Sequence, residues 1–314
     1  MMIVLTPRID IHAHYMPPAY RKLLGSRGID RSDGVLLPQW DISIQLESME
    51  KLNIRFAALT ISSPHPHFGD GKESIECVRA SNEEGLAISK KYPDKLGLIA
   101  TLPLPEVDAS LAEIDFAVER GVLGFVMPTH ARGIYLGDEK FEPVFELLNK
   151  HKALLCVHPT TPSATPPNVL DKLPYATMEF MFDTARAVVN MIINGVIDRY
   201  PDIKFVIPHA GAVLLVLADR INNSISSFNA DSKPDLYSNL RSLYYDIAGK
   251  SISYPLDILL KIIGIDHILY GSDRPFMPVT TVVGLAEELD HTDKITDADR
   301  TLIYYENAKK LLSL

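Results

Sequence analysis

Residues Ile9-Asp10-Ile11-His12-Ala13-His14 set the reading of everything that follows them. The stretch is short, apolar at alternate positions, and ends in two histidines two residues apart. On a β-strand alternate side chains share a face, so Asp10, His12 and His14 are expected to point the same way. A helix would spread the same spacing over different faces. Two neutral imidazoles on one face, at the C-terminal end of a strand, begin a divalent-metal site. On its own the pattern equally describes a histidine-rich strand end without a ligand, so the rest of the chain decides.

Working outward, short apolar runs recur at 8–12, 55–61, 96–101, 124–127, 153–158, 204–207, 243–247 and 267–270. Helical patterns at 72–91, 108–120, 141–150, 183–199, 213–222, 256–263 and 297–312 alternate with them. Asp41 is the expected cap of one more helix, which carries Ile42, Leu46, Met49 and Leu52. Continuous apolar strands alternating with helices are the signature of a parallel sheet covered on both faces. Eight such units suit a closed (β/α)8 TIM barrel. The expectation is one domain, 1–314, with loops 15–40 and 160–182 over the barrel mouth. Both loops are rich in proline and break up helix and strand.

Composition narrows the class. Of 314 residues, 46% are hydrophobic and 23% charged, with a formal net charge of −9. A negative surface argues against nucleic acid or an anionic membrane as partner. Cys77 and Cys156 are the two cysteines, too few for a disulfide framework or a thiolate zinc site. Met1 to Leu5 is apolar but runs straight into Arg8 and Asp10, unlike a secretory leader. No apolar run reaches membrane-spanning length. A cytoplasmic enzyme is expected.

The polar residues then sort themselves. His12 and His14 end the first strand, His158 the fifth, His209 the sixth and Asp273 the eighth. In an eight-fold barrel all these ends lie on one rim, where active sites are built. Three or four N and O ligands with an open position describe a catalytic metal site. His12, His14, His158 and Asp273 are the natural ligands. His209 is left to act as acid, base or polariser, and Asp273 can also carry a proton. Asp10 is expected to orient an imidazole N–H from behind the ligands. The fourth strand has no lysine for a bridging carbamate, which favours one metal ion over two. His65, His67 and His130 fall on the same rim as pocket-wall candidates.

His12-Ala13-His14, His158-Pro159, His209-Ala210-Gly211 and Gly271-Ser272-Asp273-Arg274-Pro275-Phe276 occur here in order. In these motifs the chain resembles the amidohydrolase-related metal-dependent decarboxylases, which include the aminocarboxymuconate semialdehyde and γ-resorcylate enzymes. Ile61-Ser62-Ser63-Pro64, Leu102-Pro103-Leu104-Pro105, Tyr135-Leu136-Gly137-Asp138 and His158-Pro159-Thr160-Thr161-Pro162 resemble the 6-methylsalicylate decarboxylase branch. The resemblance implies one divalent metal, zinc first and manganese second, no organic cofactor, and a homodimer. It puts His12, His14, His158 and Asp273 at the ligand positions and His209 at the catalytic histidine. The semialdehyde enzyme's carboxylate-binding arginine has no counterpart in Ile44-Gln45-Leu46-Glu47-Ser48. Arg274 stands where the family usually has an aromatic, and is the candidate replacement as a bidentate donor.

The expected reaction is non-oxidative decarboxylation of a small aromatic, salicylate-like carboxylic acid. Hydrolysis of an ester, lactone or amide by a metal-bound hydroxide would use the same ligands. The two differ only in product.

Overall fold

The computed structural model describes residues 6–170, 172–228 and 233–314. The apolar start, Met1 to Leu5, lies outside them, as does Asp171 of the second long loop. Eight parallel strands follow one another around a single sheet: β1 (Arg8–His14), β2 (Ile54–Thr60), β3 (Leu96–Thr101), β4 (Gly124–Pro128), β5 (Leu154–His158), β6 (Lys204–Ile207), β7 (Tyr244–Asp246) and β8 (Ile268–Leu269). Backbone bonds complete the circle. Ile11 N–H reaches Tyr270 O at 3.1 Å, and Asp273 N–H reaches His12 O at 2.8 Å. The sequence places all eight strands because each is buried on both faces and therefore reads as an uninterrupted apolar run.

Two layers of side chains lie on either side of the strands. The inner layer gathers Ile9 and Ile11, Ala58, Ile99, Val126, Cys156, Val206 and Leu269, with Ala308 and Leu312 of the helix Asn307–Leu312. That last helix closes the N-terminal end of the barrel. The outer layer packs the alternate strand residues, Leu59, Leu98, Met127, Leu155, Phe205 and Tyr245 among them, against the ring of helices.

Helices differ from expectation mainly at their ends. The helix expected over 183–199 begins eight residues earlier, as Tyr175–Ile193, because Pro174 at its N-cap starts it. It stops at Asn194, and left-handed Gly195 precedes a separate turn, Val196–Arg199. The helix Val279–His291 is not anticipated by the sequence reading: β-branched Val279, Thr280, Thr281, Val282 and Val283 hide it. The chain end is one helical rod with a π-turn, Leu302–Glu306, at its centre. No helix of the described residues is long and apolar enough to cross a membrane.

The first long loop carries a helix, Pro18–Ser26, and a two-stranded hairpin, Arg31–Ser32 with Val35–Leu36. The hairpin tip touches the second loop. Gly34 has φ +89°, and a Cβ there would stand 2.8 Å from the Pro174 Cα. Only glycine meets both demands. Asp33 Oδ1 accepts the Thr161 N–H at 3.1 Å and also the Thr161 hydroxyl, so the two loops are bonded together.

Candidate metal centre

The strand ends bring the histidines into one cluster at the C-terminal mouth. His12 and His14 ring centres are 4.9 Å apart, His14 and His158 4.9 Å, and His12 and His209 5.1 Å. One ligand nitrogen from each of His12, His14 and His158 fits within 4.8 Å of the others, as do ligand atoms of His12, His209 and Asp273. Asp273 Oδ1 lies 3.2 Å from His14 Nε2 and 3.7 Å from His12 Nε2. Its other oxygen lies 3.9 Å from His209 Nε2.

Outer contacts decide which nitrogen faces the centre. His12 Nδ1 is 2.9 Å from Asp246 Oδ2 on β7. His158 Nδ1 donates to its neighbour's carbonyl, Pro159 O, at 2.8 Å. In both rings the proton is thereby assigned to Nδ1, leaving the Nε2 lone pair inward. Several imidazole nitrogens of the cluster, His12 Nε2, His14 Nδ1 and His209 Nδ1, are buried with no hydrogen-bond partner among the described residues, and His14 Nε2 has only the Asp273 carboxylate beside it. Buried polar atoms without partners are costly and rare. A ring of them beside a carboxylate is a donor set for a divalent cation, and the residues present fit one.

Charge is distributed to the same end. Burial holds the His14 and His158 imidazoles below their ordinary pKa, in the neutral form that ligates. For His12 burial works the same way, but Asp246, Asp273 and Asp10 overcome it and push the value up to about 9. Burial also opposes charge on Asp273. His14, His209 and His12 outweigh it and hold that carboxyl well below the usual range.

Asp246 escapes the sequence reading. Its Oδ1 accepts the backbone N–H of His209 and of Ala248, at 3.1 and 3.0 Å, while Oδ2 holds His12. One buried carboxylate thus positions two histidines. The available signal was an aspartate at the C-terminal end of an apolar strand, the same position as His14 and His158 hold on theirs.

Asp10 sits elsewhere than expected. Ile9 and Ile11 belong to the inner layer, so Asp10 between them faces outward. A register shift between Asp10 and Ala13 interrupts the alternation before the histidines. Asp10 Oδ1 accepts the backbone N–H of His12 and of Ser272, each at 3.1 Å, and touches no imidazole. It joins β1 to the loop after β8, and burial pushes its pKa up to about 7.

The other candidates occupy the rim. Arg274 donates to Met277 O at 2.7 Å and to Ser48 Oγ at 2.9 Å, and is not among the residues lining the main cavity. His130 is 3.0 Å from Thr161 O, and His65 is 3.0 Å from Leu104 O. His67 faces Glu106 at 3.1 Å. All three hold loops and lie outside the main cavity lining.

That cavity, about 470 Å³, opens on His158, His209 and Asp273. Ser62 joins them, its hydroxyl 3.4 Å from His158 Nε2. Phe180 and Phe276 pack edge-on against His158 and His14, at 6.2 and 5.6 Å. The backbone that presents His209 is strained: His209, Ala210 and Ala212 have φ near +56°, as does Asp273. Left-handed non-glycine residues persist where surrounding structure overrules them, and such places cluster at active sites.

Comparison with known proteins adds relatives to the geometry. A family model described as amidohydrolase matches residues 9–314. The chain is 32% identical to the decarboxylase macB of Penicillium terrestre over 300 residues, covering 90% of this chain and 88% of that protein. It is 27% identical to 6-methylsalicylic acid decarboxylase of Penicillium expansum, covering 97% and 98%. A crystal structure described as amidohydrolase II superposes with a TM-score of 0.93 at 34% identity, covering 98% of this chain and all 100% of that one. A dihydroxybenzoic acid decarboxylase from Polaromonas, with bound manganese and an inhibitor, shares the fold at a TM-score of 0.83 and 21% identity, covering 99% and 98%.

Proposed function

We propose, for a chain that belongs to the amidohydrolase family and is similar to its decarboxylases, the metal-dependent removal of CO2 from a small salicylate-like aromatic acid. The observation that carries the reading is the cluster of His12, His14, His158 and Asp273, of which His158 and Asp273 line a mostly apolar cavity. These four residues would hold one divalent ion, zinc or manganese. When bound, that ion supplies fixed positive charge that orients the substrate's carboxylate and draws electron density from it.

The chain's own residues do the rest. Asp246 fixes the tautomer of His12 and, through the backbone, the position of His209. Phe180 and Phe276 pack edge-on against His158 and His14 and line the cavity, giving an aromatic substrate apolar surface beside the histidines. Asp273 and His209, 3.9 Å apart, form the pair through which a proton reaches the ring carbon that bears the carboxylate. That carbon gains the proton, the C–C bond to the carboxylate breaks, its electron pair returns to the ring, and CO2 leaves. The net exchange is one proton for one CO2, so no redox cofactor is required.

The test is CO2 release by metal-replete protein from a panel of ortho-hydroxy aromatic acids in deuterated water. Release with deuterium at the vacated ring carbon supports the reading. Silence on every acid, with hydrolysis of aryl esters or lactones in the same assay, overturns it in favour of metal-dependent hydrolysis.

A further inference from the structure

The geometry points to a narrower substrate class: an aryl acid that carries an extended apolar chain on its ring. The inference rests on the decarboxylase reading for its chemistry, and on the shape and lining of the cavity for its content.

Size is the first observation. The cavity holds about 470 Å³. Allowing each non-hydrogen atom the ~30 Å³ of a whole liquid water, the about ten such atoms of salicylate fill roughly 300 Å³. That allowance is generous, and over a third of the space is still left. A single ring with small substituents under-fills the site, and unfilled apolar volume forfeits contact energy.

Lining is the second. His158, His209, Asp273 and Ser62 make the polar histidine end of the lining. Ser32, Thr177 and Ser251 also line the cavity, and the Ser32 and Ser251 hydroxyls already donate to Ser63 O and Ala248 O. Away from it the wall is Val35, Phe180, Met181, Val213, Phe276 and Met277, with prolines and alanines between. Among the described residues, Lys250 is the one lining residue besides Asp273 with a full charge, and its ammonium is paired with Glu288; no arginine of the described residues lines the cavity. A second carboxylate on the substrate would meet no unpaired cation among the described lining residues, and a row of hydroxyls would find few side chains to pair with, whereas methylenes would meet the apolar wall.

Continuity is the third. Several sequence neighbours of lining residues are exposed apolar side chains. Leu36 beside Val35, Tyr175 beside Pro174 and Tyr254 beside Pro255 are 58%, 43% and 80% exposed. Val216, three residues beyond Val213, is 66% exposed. The chain of such a substrate would run from the ring toward this rim, with its first methylenes against Val213 and Met181.

The experiment is a homologous series. Metal-replete protein is given salicylates bearing hydrogen, methyl, propyl or pentyl at the position ortho to the carboxylate. The kcat/KM for CO2 release should rise about threefold per methylene, as apolar burial dictates, and by well over tenfold from methyl to pentyl. A flat or falling series beyond methyl overturns the proposal. The matching 3-alkylphenols, which are the products, are titrated by calorimetry alongside. Their affinity should climb by a similar step whether or not turnover occurs. Climbing phenol affinity with no CO2 from any acid would sink the decarboxylase reading and leave the apolar-chain site standing. CO2 release with flat phenol affinity would do the reverse. Val213→Trp fills the expected path and should bring the pentyl-to-methyl ratio of kcat/KM close to one. An unchanged ratio in that variant, with the protein folded by circular dichroism, places the chain elsewhere and overturns the path.

Discussion

Asp246 Oδ2 lies 2.9 Å from His12 Nδ1, and the other oxygen of the same carboxylate accepts the His209 N–H. One side chain on β7 therefore sets the direction of the His12 ring from β1 and the place of His209 after β6. Asp246→Asn keeps an oxygen for the backbone N–H groups but can present an NH2 to His12, favouring the wrong tautomer. Metal affinity should fall about 10- to 100-fold, read by chelator competition. Turnover at saturating metal should fall as well, because His209 shares the support.

His209 is expected to act on the proton while the ion stays bound. His209→Asn should lower kcat by roughly 10²–10⁴. Metal content measured by elemental analysis should stay at the wild-type ratio. Full turnover in this variant removes His209 from the reaction.

Asp10 is a strut between β1 and the loop after β8, so its variants separate by hydrogen bonding. Asp10→Asn retains an oxygen for the His12 and Ser272 N–H groups and should cost little stability. Asp10→Ala leaves two buried N–H groups unpaired and should cost about 2–4 kcal/mol in urea unfolding. If the Asn variant lost metal as Asp246→Asn is expected to, Asp10 would be orienting a ligand after all.

His65 offers a pH signature away from the ligand ring. Burial holds its pKa down at about 4, with His67 and His130 adding to the effect against the Leu104 carbonyl. The unfolded chain takes up this proton near pH 6.5, where the folded ring refuses it. Stability from this group is therefore complete above about pH 6.5 and drains away as pH falls toward 4. His65→Gln should flatten the wild-type decline in urea midpoint over that window. An equal decline in both proteins would show that His65 is protonated in the fold.

The barrel and the clustering of the histidines with Asp273 were legible for one reason: a parallel barrel turns strand order into spatial order. Apolar runs ending in His12, His14, His158, His209 and Asp273 need only be counted for their tips to converge. What the sequence hid was local. The shift of register within β1 is not written in the alternation of Ile9, Asp10 and Ile11, so Asp10 was set on the wrong face. Asp246 was passed over because its strand was read for its apolar residues. Arg274 looked available because its partners, a main-chain carbonyl and the Ser48 hydroxyl, come from folding and not from spacing. The β-branched start of Val279–His291 disguised a helix whose stability comes from packing Val282, Ala286 and Leu289 against the barrel.

The helix Asn307–Leu312 closes the barrel at the end opposite the metal ring. Its Ala308 and Leu312 insert beneath the inner layer as a cork does, and the reacting end never shares their solvent. Chemistry and cohesion are thereby assigned to opposite poles of the molecule. Selection can remodel the hairpin around Gly34 to admit new molecules, while Ala308 and Leu312 keep the far end of the barrel packed. Substitutions at Ala308 should behave as changes in lifetime of the folded state, and substitutions at the rim as changes in diet.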